Sequence, residues 1–300
     1  MTSEPALLIV GHGTRDTTGV AGFHQLVELV RGRVPVPVAG GFIELSPPPL
    51  HEAVTELVGA GHNRLGVVPL VLVAAGHAKG DVPAALAREV GRHPGLTYRY
   101  GRPLGPHPTL LRLLDERLDA VLPRADRPGT TVVLVGRGSS DPDANAEHAK
   151  VARLYWEGSG LAGVEPAFVS LAEPGVPAAL DRARRLGAGR VVVLPYFLFA
   201  GVLPSRVAAQ AQAWAAEQPA VGQPAVEVRC AAVLGATPEL ADLVIERWHE
   251  ALGGDIRMNC DTCLYRVALP GHEHRVGAAQ HPHHHPDDPS HQHTPTHQHA

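Results

Sequence analysis

The sequence predicts an α/β protein built from two tandem homologous domains, each containing a doubly wound parallel sheet. Two observations carry this prediction: most of the chain is repeated once, and each repeat alternates short apolar runs with helically spaced apolar residues. Such alternation is typical of a parallel sheet covered by helices on both faces. A chain of 300 residues is long enough for two such domains.

The repeat is visible in four segment pairs that occur in the same order in both halves. They are LLIVGHGTRD at 7–16 with VVLVGRGSSD at 132–141, GFIELSPPPLHEAV at 41–54 with AFVSLAEPGVPAAL at 167–180, LGVVPLVLVAAG at 65–76 with VVVLPYFLFAGV at 191–202, and LGPHPTLLRLLDERL at 104–118 with LGATPELADLVIERW at 234–248. The offset stays between 125 and 130 residues. A unit of this length is a domain rather than a solenoid repeat, so we predict domains at 1–125 and 126–252.

Each element of the first half is predicted from its own pattern. Apolar runs predict strands at 6–11, 36–45, 65–73 and 96–101. Helical spacing predicts two helices, one through Phe23, Leu26, Val27 and Val30 and one through Leu50, Ala53, Val54 and Leu57. Further helices are predicted at 83–92, with Pro83 in the first turn, and at the Leu-rich stretch 107–121. The second half repeats this order. Each sheet should therefore have about four parallel strands, with ligands bound beyond their carboxyl ends.

The last fifty residues have a different composition. Residues 253–270 contain the sequence MNCDTCLYR, and residues 271–300 hold ten of the nineteen histidines among Pro, Asp and Gln. The second of these segments has too few large apolar residues to form a core, so we expect a disordered His-rich tail.

Composition excludes several classes of protein. The net charge of −4 gives no support for binding to nucleic acid or to an anionic membrane, and no apolar run is long enough to span a bilayer. The first ten residues lack the features of a signal peptide. Three cysteines do not form a disulfide framework, and we expect a cytoplasmic protein.

Three residues of the first half follow predicted strands on the side where ligands bind: His12 in GHGTRD, Glu44 in GFIEL and His77 in AAGHAKGDVP. Two imidazoles and a carboxylate suit a first-row divalent ion such as Co, Ni, Fe or Zn. The matching positions of the second half are Arg137, Ser170 and approximately Leu203. Because the ligand types occur in one repeat only, we infer one chemical half and one half kept for shape or for binding substrate.

Structural roles are the alternatives at each of these positions. His12 could cap a helix from a loop, Glu44 could be a solvated charge at a strand end, and His77 could be an ordinary surface histidine. Asp81 is predicted to cap the helix that begins near Pro83 rather than to bind metal.

GHGTRD, GFIEL and VPLVLVAAGHAKGDVP, at this spacing, closely resemble the sirohydrochlorin chelatases. PYFLFAGVLPSRV and MNCDTCLYR resemble the long, two-domain CbiX members of that family, and the resemblance covers residues 6–266. It implies a class II chelatase fold in which two similar domains face each other across a cleft. It also implies insertion of Co²⁺, without ATP, into sirohydrochlorin or a precorrin-level relative in cobalamin biosynthesis.

The resemblance implies a role for each site residue. His12 and His77 would bind the metal, and Glu44 would assist in metal handling or proton removal. Sirohydrochlorin carries many carboxylates, so cationic side chains should line the cleft, and Arg137 and Arg206 are the candidates.

MNCDTCLYR also resembles an iron–sulfur motif of long CbiX chains, with Cys260 and Cys263 as ligands. A four-iron cluster usually takes four thiolates, and only Cys230 remains in the chain. A homodimer or non-cysteine ligands would have to complete such a cluster. The alternatives are a zinc site that uses tail histidines, or a redox dithiol.

Three rival functions remain at this point. Iron or nickel could replace cobalt, since the same ligands accept all three ions. A metal storage or chaperone protein built around the His-rich tail would keep the site but lack the catalysis. GHGT also resembles the histidine phosphatases, but that family has Arg where Gly11 precedes His12.

Overall fold

The computed structural model describes residues 4–217 and 225–254, together with residues 274 and 276. In the first half the strands are β1 (Ala6–Gly11), β2 (Val38–Phe42), β3 (Arg64–Pro69) and β4 (Thr97–Tyr100), and the helices are α1 (Thr17–Arg31), α2 (Leu50–Gly59), α3 (Val82–Arg92) and α4 (Pro108–Asp119). In the second half they are β5 (Thr130–Gly136), β6 (Gly163–Phe168), β7 (Arg190–Pro195) and β8 (Glu227–Cys230), with α5 (Pro142–Ser159), α6 (Val176–Arg185), α7 (Val202–Ala216) and α8 (Pro238–Gly253).

The two sheets have the same topology. Their strand orders are β2-β1-β3-β4 and β6-β5-β7-β8, and all neighbouring strands are parallel. This confirms the predicted fold class. β2 and β3 pair with β1 on opposite sides, so the chain first moves to one side of β1 and then crosses to the other. The carboxyl ends of β1 and β3 therefore flank a topological switch point, where parallel sheets bind ligands.

Two predicted strands end three or four residues earlier in the structure, because the residues beyond them form hydrogen bonds of another kind. Beyond β3, Leu70 N still donates to Val10 O at 2.8 Å, but Val71 N donates to Pro69 O, which turns the chain away from the sheet. Beyond β2, Glu44 N donates to His12 O at 3.1 Å, which ties the two loops together. The predicted strands 65–73 and 36–45 therefore end at 69 and 42.

The last helix of each half packs on the other half. α8 contacts β3, β4 and α1, whereas α4 contacts β7 and α5. Trp248 of α8 lies so close to Gly66 of β3 that a Cβ there would be 2.3 Å from the indole ring. A polar contact also joins α8 to the first half, since Arg247 of α8 donates a hydrogen bond to the carbonyl of Leu104 at 3.0 Å.

This exchange produces one shared core between the sheets. The shared core contains apolar residues of β1 and β3, of β5 and β7, and of both exchanged helices. α1 and α5 also contribute to this shared core, and each half has a separate outer core beneath α2 and α3 or beneath α6 and α7. The predicted boundary at residue 125 thus separates the two sheets, while the helices interlock across it.

The carboxyl edges of the two sheets meet through reciprocal loop contacts. The segment after β3 reaches the start of α5, where Lys79 Nζ lies 2.7 Å from Asp141 Oδ2. The segment after β7 reaches the start of α1, where the carbonyl of Ala200 leaves no space for a Cβ at Gly19. In the described ranges, no helix has the length and apolar composition needed to cross a membrane.

Candidate functional site

The loop after β1 carries His12 and is held against the loop after β2. Gly13 has φ +103°, and a Cβ on it would lie 1.8 Å from the carbonyl oxygen of Glu44. Only glycine permits this approach. Gly138 repeats the arrangement against Ser170 in the second half, with φ +86° and the same 1.8 Å separation. The duplication has therefore kept the shape of this loop pair while exchanging the side chains next to it.

The loop after β2 carries Glu44 and continues through a strained residue. Leu45 has φ 66°, and its counterpart Leu171 has φ 62°, a conformation that costs a bulky side chain free energy. Both leucines are exposed, at 46% and 67%. Ser46 stabilises the first loop pair by accepting a hydrogen bond from Thr14 N at 2.9 Å.

His77 opens a five-residue π-helical turn, His77–Asp81, that leads into α3. Single π-helical turns often occur at functional sites. Asp81, one turn later, is 5% exposed, and its Oδ2 lies 2.6 Å from His77 Nδ1. The prediction that Asp81 caps α3 is wrong, because its carboxylate makes no capping hydrogen bond and contacts His77 instead. The sequence signal was present as a His and an Asp at i and i+4.

The structure brings His12, Glu44 and His77 together around one atom. His12 Nε2 lies 2.9 Å from His77 Nε2 and 3.1 Å from Glu44 Oε1. The two rings meet edge to face, with centroids 4.1 Å apart. All three side chains remain partly open to solvent, with exposed fractions of 23%, 19% and 24%.

Hydrogen bonds determine which ring nitrogens carry protons. His12 Nδ1 lies 3.0 Å from the carbonyl of Gly13, which can only accept, and His77 Nδ1 faces the Asp81 carboxylate. Each Nδ1 therefore donates, and in the neutral rings each Nε2 is a bare acceptor. In that neutral form, two lone pairs and a carboxylate oxygen converge on one point, and these are the groups that bind a metal ion. This arrangement favours a cation at that point.

Electrostatics keep His12 neutral. Burial, followed by the charges of His77 and Arg137, lowers the pKa of His12 to about 3. Its contact with Glu44 is thus between a neutral imidazole and a carboxylate. A neutral imidazole is the form that binds metal.

The spacing of the two nitrogens fits a transition-metal ion. With metal–nitrogen distances of about 2.0–2.1 Å, two nitrogens at a right angle around one ion are about 2.9 Å apart. Across the described ranges, no group of three or more His, Cys, Asp or Glu side chains is arranged so that all of them could hold one metal ion, and the geometry supports two imidazole ligands at this point. The pair of imidazoles with Glu44 at its border is therefore an open site rather than a closed cage.

Arg137 lies opposite this pair, at the end of β5. Its side chain is exposed, yet surrounding protein lowers its pKa by desolvation, and the carboxylate of Glu44 acts on it in the opposite sense. Ser170 follows β6, and Leu203 lies in the first turn of α7, packed against the outer core of the second half.

The remaining predicted site residues are not brought to the imidazole pair. Arg206 is exposed on the second turn of α7, and no hydrogen bond or ion pair within the described part of the chain links it to His12 or His77. Cys260 and Cys263, the segment 253–270 beyond residue 254, and nearly all of the tail 271–300 lie outside the described residues.

Comparison with known proteins gives one family for both halves. The family model described as CbiX matches residues 6–121 and again residues 131–251. The two matches correspond to the two halves of the internal duplication.

Two curated relatives differ in the metal that their names give. A sirohydrochlorin cobaltochelatase of Priestia megaterium is 34% identical over 89% of this chain and 86% of its own length. A sirohydrochlorin ferrochelatase of the same organism is 31% identical over 67% of this chain and 76% of its own length. Among solved structures, SirB from Bacillus subtilis with Fe³⁺ has a TM-score of 0.72 at 28% identity, covering 84% of this chain and 98% of that one.

Proposed function

Because the chain belongs to the CbiX family, we propose that it is a sirohydrochlorin chelatase that inserts Co²⁺ into sirohydrochlorin, or a precorrin-level relative, without ATP. The observation that carries this proposal is the convergence of two imidazole Nε2 atoms and one carboxylate oxygen at a point that is partly open to solvent. In cobalamin biosynthesis such an enzyme would act as a metal-chelating lyase.

In this mechanism His12 and His77 hold the incoming Co²⁺, which is a substrate, and leave its other coordination positions free. The macrocycle nitrogens then replace the imidazoles one after another. Two of the four macrocycle nitrogens carry protons, so insertion of Co²⁺ breaks two N–H bonds, and Glu44 accepts each proton in turn and passes it to solvent. Catalysis comes mainly from positioning the ion against the macrocycle, with deprotonation or distortion of the ring as a second contribution.

The second half supplies substrate contacts in this proposal. Arg137 lies near the two imidazoles that would bind the metal, and its guanidinium can bind a carboxylate of the macrocycle rim in a bidentate manner. Arg206 is the other candidate for such a carboxylate, at greater distance from the chemistry. Leu45 and Leu171 present exposed apolar side chains next to Glu44 and Ser170, and these suit the flat apolar faces of the ring.

Cobalt is favoured by the cobaltochelatase relative that matches 89% of the chain, but iron and nickel are the alternatives, since the relatives include both cobaltochelatases and ferrochelatases. A non-enzymatic storage or chaperone protein is the other alternative. Deleting residues 271–300 discriminates between the two classes: a chelatase keeps its turnover at saturating metal, whereas a storage protein loses most of its bound ions. A cytoplasmic location, a homodimer, and an iron–sulfur cluster or zinc ion at Cys260 and Cys263 remain predictions from the sequence.

The direct test follows the absorbance of sirohydrochlorin with purified protein and Co²⁺, Fe²⁺ or Ni²⁺, alongside elemental analysis of the isolated protein. We expect the fastest metallation with Co²⁺ and a return to the protein-free rate in His12→Ala. His62→Ala, at the opposite edge of the sheet, is the matched control and should keep full turnover. Metallation by the wild-type protein at the protein-free rate would remove the proposed activity.

A further inference from the structure

The segment that carries His77 is fixed to the other half of the molecule by a buried lysine. Lys79 Nζ lies 2.7 Å from Asp141 Oδ2 and 2.9 Å from Asp143 Oδ2. The side chains of all three residues are almost fully buried, with exposed fractions of 6%, 3% and 2%. A single lysine therefore joins two carboxylates across the interface between the halves, two residues away from a proposed metal ligand.

Three consecutive residues of the π-helical turn His77–Asp81, namely His77, Ala78 and Lys79, each contact a different part of the protein. His77 contacts Asp81 within the turn, and the carbonyl of Ala78 accepts a hydrogen bond from Tyr100 at 2.7 Å. Both contacts lie in the first half. Lys79 adds the contact to the second half, so the orientation of the turn depends on both halves at once.

The carboxylates at the other end of this contact are themselves fixed. Asp141 is the N-cap of α5, and its Oδ1 accepts the backbone N–H of Asp143 at 3.1 Å while its Oδ2 faces Lys79. α5 follows directly on the loop that carries Arg137. Lys79 thus ties the His77 turn to the segment that presents the proposed substrate anchor.

Comparison of the two repeats indicates that this contact does more than join the halves, because the equivalent contact on the other side lacks the ion pair. In the repeat register, Asp16 corresponds to Asp141, but Ser205 stands at the position of Lys79. The reciprocal contact, between Ala200 and Gly19, is close packing without an ion pair. The buried lysine therefore occurs only beside the imidazole pair, as do His12 and His77 themselves.

We propose that Lys79 is a positioning residue, which acts through His77 to set the distance and angle between the two metal-binding imidazoles. This inference rests on the proposed function, because it assumes that His77 binds the incoming ion. A buried ion pair is by itself weak evidence for stabilisation, and replacing one with apolar groups is often neutral for stability. Residues that orient a metal ligand, by contrast, commonly change metal affinity by about 10–100-fold.

The test is a titration of Co²⁺ into the full-length protein without tetrapyrrole, which reads metal binding independently of turnover. In Lys79→Met we expect the dissociation constant for Co²⁺ to rise about tenfold or more and the visible ligand-field bands of the bound ion to shift. Lys79→Met/Asp143→Asn also neutralises one of the two carboxylates that Lys79 contacts, and Asp143→Asn alone is a milder variant that keeps the contact with Asp141. We expect the double variant to behave as Lys79→Met does and the single variant to lie between it and the wild type.

Arg127→Met is the matched control. Arg127 is also a buried cation, 7% exposed, that bonds two carboxylates, those of Asp115 and Asp119 at 2.8 and 2.6 Å, but it precedes β5 at the opposite edge of the sheet. It should affect stability without changing Co²⁺ affinity or the spectrum. Unchanged affinity and spectrum in folded Lys79→Met, or equal losses in Arg127→Met, would overturn the positioning role. A wild-type protein that binds no Co²⁺ would remove the proposed function itself, and the role of Lys79 with it.

Discussion

The Nε2 atoms of His12 and His77 face each other at 2.9 Å, a separation at which the two nitrogens can share one proton or bind one metal ion. The opposite nitrogens are already committed to Gly13 and Asp81. Each Nε2 is therefore the nitrogen that remains for a metal ion, and an ion bound between the rings would take a lone pair from both. We expect His12→Ala and His77→Ala each to weaken Co²⁺ binding by about 100-fold or more, since losing a ligand should exceed the loss from a supporting residue. Titration of Co²⁺ into each variant measures this, and binding within threefold of wild type would contradict it.

Asp81 should control the affinity of the site for metal without binding it. Its carboxylate orients the His77 ring and keeps the proton on Nδ1. We expect Asp81→Ala to raise the KM for Co²⁺ by about 10–100-fold, and Asp81→Asn, which keeps an acceptor, to have a smaller effect. Steady-state metallation at varied Co²⁺ measures the change. Equal KM values for the two variants would argue against an orienting role.

Arg137 should act on the tetrapyrrole rather than on the metal. Loss of a charged hydrogen bond costs about 1.5–3 kcal/mol, so Arg137→Met should raise the KM for sirohydrochlorin by about tenfold or more. Co²⁺ affinity measured without tetrapyrrole should not fall, because the positive charge beside His12 is removed rather than added. If Arg137→Met instead lowers Co²⁺ affinity and leaves the KM for sirohydrochlorin unchanged, the assignment is wrong.

Leu171, one of the two leucines with positive φ, should affect stability and substrate binding in opposite directions. Asn tolerates the left-handed conformation better than Leu, so Leu171→Asn should stabilise the fold by up to about 1 kcal/mol. In the proposed function the same change removes an apolar contact and raises the KM for sirohydrochlorin. Leu186→Asn is the control, because Leu186 is 76% exposed but has φ −80°. Thermal unfolding and steady-state kinetics test the pair, and a KM unchanged in Leu171→Asn would exclude the contact.

A buried histidine in the second half predicts acid sensitivity. His148 is 3% exposed, and burial lowers its pKa from 6.5 to about 4, against the opposing hydrogen bond to Leu134. The unfolded chain therefore binds a proton that the folded chain does not bind between these values. This part of the stability is complete above pH 6.5 and is lost as the pH falls towards 4, with a total of about 3 kcal/mol.

The check on His148 is denaturant unfolding at a series of pH values in wild type and His148→Phe. Phe23 occupies the same position in the first half, against Gly11 and Phe42. The variant should lose this part of the pH dependence whatever its absolute stability. An identical slope for both proteins between pH 6.5 and 4 would show that another group is responsible.

The fold and the central residues of the site follow from local patterns in the sequence. Period and repetition predict both sheets, and the strand ends predict where His12, Glu44 and His77 meet, because parallel strands deliver their carboxyl ends to one edge. The end of β3 at Pro69 could not be predicted from the apolar pattern, because it depends on which carbonyl accepts the hydrogen bond from Val71 N.

Local sequence patterns do not predict contacts between segments that are distant in the chain. Lys79 and its two aspartates are more than sixty residues apart, and each is unremarkable in its own segment. Asp81 had a local signal, but a helix start offers an Asp two roles, and only the position of His77 decides between them. The exchange of α4 and α8 is likewise invisible to periodicity, because an amphipathic helix does not indicate which sheet it covers.

That exchange determines how the chain can be divided. Each half covers part of its inner sheet face with its own first helix and leaves the rest to the last helix of its neighbour. A fragment cut near residue 125 would therefore carry one helix with no surface to cover and a sheet face that is only partly covered. The only partner able to satisfy both is another half of the same shape. The two repeats should therefore unfold in a single cooperative transition, and the geometry between the imidazole pair and the opposite wall should persist until the whole molecule melts.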